Sequence, residues 1–100
     1  MLIAMNRFRI AAGREAEFID IWRQRDSHLS QVPGFKSFNL LQGPTADGET
    51  LFASHTVWAS RQAFDDWTRS DAFKAAHAGA GQKRDIYLGP PKLELLDAVL

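Results

Sequence analysis

Hydrophobic spacing along this 100-residue chain changes from a two-residue period to a helical one and back, and then does so again. That order limits the folds open to the chain more than any other feature. In "LIAMNRFRI", Leu2, Ala4, Phe8 and Ile10 recur at even positions, as in a strand with one buried face. From Gly13 or Arg14 the spacing becomes helical. Phe18, Ile21, Trp22, Arg25 and Leu29 fall at three- and four-residue steps in one stripe, and Glu15 and Glu17 suit the positive end of a helix. "VPGF" stops this helix, because proline disfavours it and glycine frees a turn.

"FKSFNLLQG" reads as a second strand, "PTADGET" as a loop or turn, and "LFASHTVW" as a third strand rich in β-branched and aromatic residues, the two strands forming a hairpin. Ser60 is the expected N-cap of "RQAFDDW", and Ser70 or Asp71 restarts a helix through "AFKAAHAG" with Gly79 as its stop. "AGAGQKRDIYLGPP" reads as a glycine-rich, mobile connection, and "KLELLDAVL" as a last strand. The order strand, helix, strand, strand, helix, strand predicts an α+β, ferredoxin-like βαββαβ sandwich, with both helices on one face of an antiparallel sheet and residues 1–100 forming a single domain. Two helices cover one face only. A homodimer through the open sheet face is the simplest way to bury the other.

Several function classes drop out on composition. There are no cysteines, which removes disulfides, thiolate metal sites and cysteine nucleophiles, and is compatible with the cytoplasm. Lys plus Arg and Asp plus Glu are equal at 12 each, so no overall field draws the chain toward nucleic acid or an anionic membrane. Asn6, Arg7 and Arg9 interrupt any apolar run at the N-terminus, which does not read as a signal peptide, and no apolar stretch reaches membrane-spanning length. There is no Gly-x-Ser-x-Gly elbow and no phosphate-cradling glycine loop. Asp65, Asp66 and Asp71 read as a solvated helical face, and His28 and His55 as structural or surface residues without ligand spacing.

Asn6 breaks the first strand's apolar face. Two readings fit: an amide satisfied by a neighbouring loop or helix end, or an amide kept for a ligand. Phe64 and Trp67 lie three apart in one helical segment, and Phe73 and His77 four apart in the next, so each pair shares a face. Taken singly, Trp67 reads as a core aromatic and His77 as a residue suited to a helix C-terminus. Taken with Asn6, they describe a pocket at the helix–sheet interface with one amide, one bulky wall and one imidazole. A lone imidazole is a poor zinc site but suffices as the proximal ligand of a haem iron, because the macrocycle supplies the other four nitrogens.

"MNRFRI", "VPGF", "HTVWASRQAFDDW" and "SDAFKAAH" together resemble the antibiotic-biosynthesis monooxygenase superfamily of dimeric α+β barrels, and within it the IsdG-type haem-degrading monooxygenases, over nearly all of the chain. That family carries an asparagine on the first strand, a tryptophan in the helical segment and a histidine about ten residues later, which Asn6, Trp67 and His77 match. The resemblance implies that His77 ligates haem iron from the proximal side, that Asn6 donates a hydrogen bond to the oxygen species on the iron, and that Trp67 presses on the porphyrin and distorts it. Phe64 and Phe73 are the expected neighbours of the ring. Arg23, Arg25, Lys83 and Arg84 are candidate partners for the propionates, with Arg25 on the helix stripe. The implied reaction uses O₂ and electrons from an external donor to open the ring to a bilin-type product and release iron. Two alternatives stay open: a cofactor-independent monooxygenase acting on a quinol or other aromatic, and a non-catalytic haem-binding dimer. The position of ring opening, the one-carbon product and the electron donor are not legible in the residues, nor is whether segment 78–91 orders over the haem.

Overall fold

Residues 1–25, 29–76 and 84–100 are described by the computed structural model. The elements run β1 (Leu2–Ala11), α1 (Glu15–Gln24), a 3₁₀ turn (Leu29–Gln31), β2 (Phe35–Ala46), β3 (Glu49–Trp58), α2 (Arg61–Thr68), α3 (Asp71–Ala76), a second 3₁₀ turn (Arg84–Ile86) and β4 (Lys92–Asp97). The sheet order is β2-β3-β1-β4 with every neighbour antiparallel, a ferredoxin-like α+β topology. Among the described residues no helix is long and apolar enough to cross a membrane.

The even positions of β1 face the helices. Leu2 and Ile10 are wholly buried there, and Ala4 and Phe8 nearly so. Phe18 of α1 and Phe64 and Trp67 of α2 pack against that same side, so both helices lie on one face of the sheet. The core on this face is in two pieces. One gathers Leu2, Ala4, Trp58, Phe64 and Trp67, and the other Phe8, Ile10, Phe18, Phe52 and Ile86. Asn6 lies in the strand between Ala4 of the first and Phe8 of the second.

Three expectations are corrected. The loop or turn placed over residues 44–50 is a turn of two residues only, since β2 runs to Ala46 and β3 starts at Glu49. Asp47 and Gly48, with φ of 56° and 80°, supply the two left-handed positions that a tight hairpin turn requires. The hydroxyls of Thr45 and Thr50 meet at 2.7 Å across the strands just inside the turn. Next, α1 ends at Gln24 rather than running on to Leu29: Arg25 leaves the helical region (φ −74°, ψ 121°), and Leu29 belongs to a separate turn. The periodicity continues past the break because Arg25 and Leu29 still face one cavity. Finally, the connection read as mobile is tied down over its second half, where Ile86 is wholly buried and Tyr87 bridges Ile10. Its first half, with Gly79, lies outside the described residues, as do His28, His77 and Lys83.

The caps form where the sequence puts them. The Ser60 hydroxyl accepts the Ala63 N–H at 3.1 Å and starts α2. The Ser70 hydroxyl accepts the Phe73 N–H at 3.2 Å and donates to the Trp67 carbonyl at 2.6 Å, which fixes α3 against the end of α2.

Candidate active site

The β1–β3 register explains why a cavity opens beside Asn6. On the helix face the paired residues run Leu2–Trp58, Ala4–Thr56, Asn6–Ser54 and Phe8–Phe52. Bulky pairs stand at both ends and small or polar ones between them. The result is a cavity of about 440 Å³ floored by Ala4, Asn6, Ser54 and Thr56, a size suited to a small organic ligand.

Each wall comes from a different element. Trp22 and Arg25 project from the end of α1, Phe64 and Trp67 from α2, and Phe73 from α3. Trp67 is 9% exposed, with its ring 5.3 Å from Trp58 and 4.8 Å from a perpendicular Phe73. Trp22 stacks on Phe38 at 5.6 Å, and the Arg25 guanidinium carbon lies 4.2 Å from the Trp22 ring centroid.

Polar groups at the cavity divide into satisfied and unsatisfied ones. Thr56 donates to the Ala4 carbonyl at 3.2 Å and accepts the Trp58 indole N–H at 3.0 Å. By contrast, Asn6 Oδ1 and Trp22 Nε1 are buried with no hydrogen-bond partner among the described residues. A buried polar atom without a partner costs about 1–3 kcal/mol, which marks the Asn6 oxygen on this cavity floor as a point that packing alone does not explain. Arg25 likewise has no carboxylate partner among the described residues. Burial pulls its guanidinium below the ordinary value, the nearby Tyr87 acting in the opposite sense.

Asn6, Arg25, Phe64 with Trp67, and Phe73, from four separate stretches of sequence, thus converge on one cavity. His77, the expected iron ligand, lies outside the described residues, directly after α3, the helix that carries Phe73. Of the four expected propionate partners only Arg25 is seen at the cavity. Arg23 is exposed and paired with Asp20 at 2.6 Å, while Lys83 and the Arg84 side chain lie outside the described residues. Among the described residues no group of three or more His, Cys, Asp or Glu side chains could hold a metal ion. Sequence reasoning missed Ser54 and the cavity-facing role of Trp22. Ser54 alternates with Thr56 on β3, a polar signal that meets Asn6 only once the register is known.

The family model described as antibiotic biosynthesis monooxygenase matches residues 1–79. This chain belongs to that family. Within the family, a heme-degrading monooxygenase of Bacillus thuringiensis (strain Al Hakam) is 34% identical over 89 residues, covering 88% of this chain and 81% of its own. A heme oxygenase (staphylobilin-producing) 1 of Staphylococcus aureus (strain Newman) is 31% identical over 88 residues, with the same 88% and 81% shares. Among solved structures, the heme degrader MhuD of Mycobacterium tuberculosis, with two hemes bound in its active site, is similar at a TM-score of 0.73 and 27% identity, over 100% of this chain and 97% of that one. The stretch matched by the family model contains every cavity residue named above and stops short of β4.

Proposed function

We propose that this chain is a haem-degrading monooxygenase, acting as one domain over residues 1–100, which opens the porphyrin ring with O₂ and electrons from an external donor and yields a bilin-type product and iron. The observation that carries the reading is the convergence of Asn6, Trp67, Phe64, Phe73 and Arg25 on one aromatic-walled cavity whose floor bears an amide with an unpartnered oxygen. Heme-degrading relatives at 31–34% identity support it independently.

Each residue has a proposed task. His77, following α3, holds the substrate's iron from the proximal side. Phe64 and Phe73 exclude water from the porphyrin faces, and Trp67, braced by Trp58 and Phe73, is a wall too rigid to yield to a flat ring. Haem, once bound, supplies the iron that activates O₂. Asn6 buries its Oδ1 in the floor, which leaves the Nδ2 donor to orient a ligand on the distal side. Arg25 offers its charge to a propionate.

We further propose a homodimer through the uncovered face of the sheet. Ile3 and Met5 of β1, with Ala53 and Val57 of β3, point away from the helices, and Leu41 and Leu96 on the same face are 41% and 48% exposed. A second copy is the covering that this self-complementary face suits.

Haemin titration tests the reading. The wild-type protein is expected to give a Soret band that His77→Ala abolishes or strongly shifts, and that decays with a small reductant and O₂ while iron is released and a bilin mass appears. A protein that binds no haemin removes the haem reading and leaves a cofactor-independent monooxygenase of a quinol or other aromatic as the one to test. A Soret band stable for hours under turnover conditions makes it a haem carrier.

A further inference from the structure

We infer that Trp22 is a specificity-determining residue of this cavity: its indole N–H, together with the Arg25 guanidinium, receives a carboxylate of the bound porphyrin. The inference rests on the haem reading above and goes beyond it by assigning a hydrogen-bonding role to a residue that the sequence marks only as part of a helix stripe.

Packing alone does not ask for a nitrogen at this position. Trp22 stacks on Phe38 at 5.6 Å and meets Phe8 edge-on at 5.9 Å, contacts that a phenyl ring makes equally well. The indole nitrogen is nonetheless present and buried, with no acceptor among the described residues. Trp58 is the contrast, since its N–H finds the Thr56 hydroxyl at 3.0 Å. A donor shut away from water without an acceptor is a standing cost to the ligand-free protein, and it is recovered when a ligand brings the acceptor.

Arg25 says what kind of acceptor. Its guanidinium lies 4.2 Å from the centroid of that same indole, against the electron-rich ring face, and has no carboxylate partner among the described residues. Tyr87 adds no negative charge to this corner, because burial raises its phenol and keeps it protonated. A half-buried cation over a cavity-lining indole whose N–H is unused is a site for an anion with two acceptor oxygens. Neither group can be satisfied by a neutral, purely apolar ligand. Both are satisfied by a carboxylate, and the carboxylates of the proposed ligand are its propionates. The site therefore selects for the free acid and sets which edge of the ring faces α1.

The test uses gallium protoporphyrin IX, which is redox-inert and diamagnetic, and its dimethyl ester, which keeps the ring and loses both carboxylates. Trp22→Phe removes the N–H and keeps the stack. It is expected to bind the free acid about tenfold more weakly than wild type, the worth of one hydrogen bond to a charged acceptor, and to bind the ester as wild type does. In the wild-type protein the Trp22 indole N–H resonance is expected to move further downfield with the acid than with the ester, whose shift reports the ring current alone. This second readout decides the matter even if the variant fails to fold. Equal affinity of the variant and wild type for the acid, or an indole resonance that the acid moves no further downfield than the ester does, overturns the inference while leaving the haem reading intact. Failure of wild type to bind either porphyrin overturns both.

Discussion

Asn6 and Ser54 stand directly opposite each other in the β1–β3 register, and the aromatic core parts on either side of them. Bulky pairs above and below, Leu2 with Trp58 and Phe8 with Phe52, close the sheet's inner face, so the gap between them is a trough rather than a defect. Asn6 and Ser54, with Thr56 beside them, are polar residues on a sheet face that otherwise buries mostly apolar side chains, and such residues cost stability unless they are satisfied. The aromatic residues that give the molecule its core are thus also the end walls of its cavity.

If the Asn6 amide is held for a ligand, removing it improves the empty protein. Asn6→Leu keeps the approximate shape and deletes the buried Oδ1, which has no partner among the described residues. The expected gain is about 1 kcal/mol in ligand-free stability, the desolvation cost of one unsatisfied polar atom, read as a rise in the urea midpoint at unchanged slope. The same variant is expected to bind haemin and not turn it over. A loss of stability instead means that the amide is already satisfied in the empty protein.

Trp67 separates two hollows. On one side lies the cavity above Asn6, and on the other a hollow of about 580 Å³ against Pro33, Gly34 and Ala63. Trp67→Ala removes a nearly buried indole that braces Trp58 and Phe73, and joins the two spaces. The expected destabilisation is about 3–5 kcal/mol, measured by urea unfolding, with Trp67→Phe costing clearly less. Near-neutral behaviour of the alanine variant rules out the indole as a structural partition.

How much of this was legible beforehand follows from how local each feature is. The order of elements is written in hydrophobic period, and the caps at Ser60 and Ser70 in single letters followed by a helical stripe, so all of these could be read directly. Asn6 and Trp67 stood out as the wrong letter and the bulky letter in local patterns, whereas Arg25 entered the site only as one of four cations that the family resemblance made candidates. Register is not local. With "PTADGET" read as a loop or turn, there was no fixed point from which to count Ser54 across to Asn6. The Asp47–Gly48 turn supplies that point through two positive φ angles, and even then the bulge between Gln42 and Thr45 shifts the count on β2. Trp22 was hidden for another reason. A core tryptophan and a cavity tryptophan occupy the same helical stripe, and only the absence of an acceptor for its N–H tells them apart.

Glu15 ties α1 to the β2–β3 hairpin and makes the fold sensitive to acid. Its carboxylate accepts the Gly13 N–H at 2.9 and 3.1 Å and the Thr50 hydroxyl at 3.0 Å. The Gly13 bond first, and the Thr50 bond with it, hold the carboxyl below its ordinary value of 4.5. In the folded protein Glu15 therefore binds its proton less readily than in the unfolded chain. Its contribution is complete above the ordinary value and fades as the pH falls through the lowered one. Glu15→Gln is expected to flatten the stability profile below pH 4.5 and to lower the plateau above it. Urea unfolding at a series of pH values checks this, and parallel profiles for wild type and variant would remove Glu15 as the cause.

Gly34 and Gly48 both have positive φ, at 84° and 80°, but differ in surroundings, and so they separate backbone strain from crowding. At Gly48 an added Cβ meets nothing within 4 Å. At Gly34 it runs into the Ala63 Cβ of α2, and the Gly34 carbonyl also accepts the Ala59 N–H at 2.7 Å. Gly48→Ala is expected to cost about 1–2 kcal/mol, from the left-handed backbone alone. Gly34→Ala adds a steric cost of about 1–3 kcal/mol, because α2 must move away from the 3₁₀ turn and carry Phe64 and Trp67 with it. Combining Gly34→Ala with Ala63→Gly relieves the overlap and leaves the strain. The double variant's excess over Ala63→Gly alone is then expected to match the cost of Gly48→Ala. Strict additivity of the two substitutions in a double-mutant cycle would mean that Gly34 does not pack against α2 in solution.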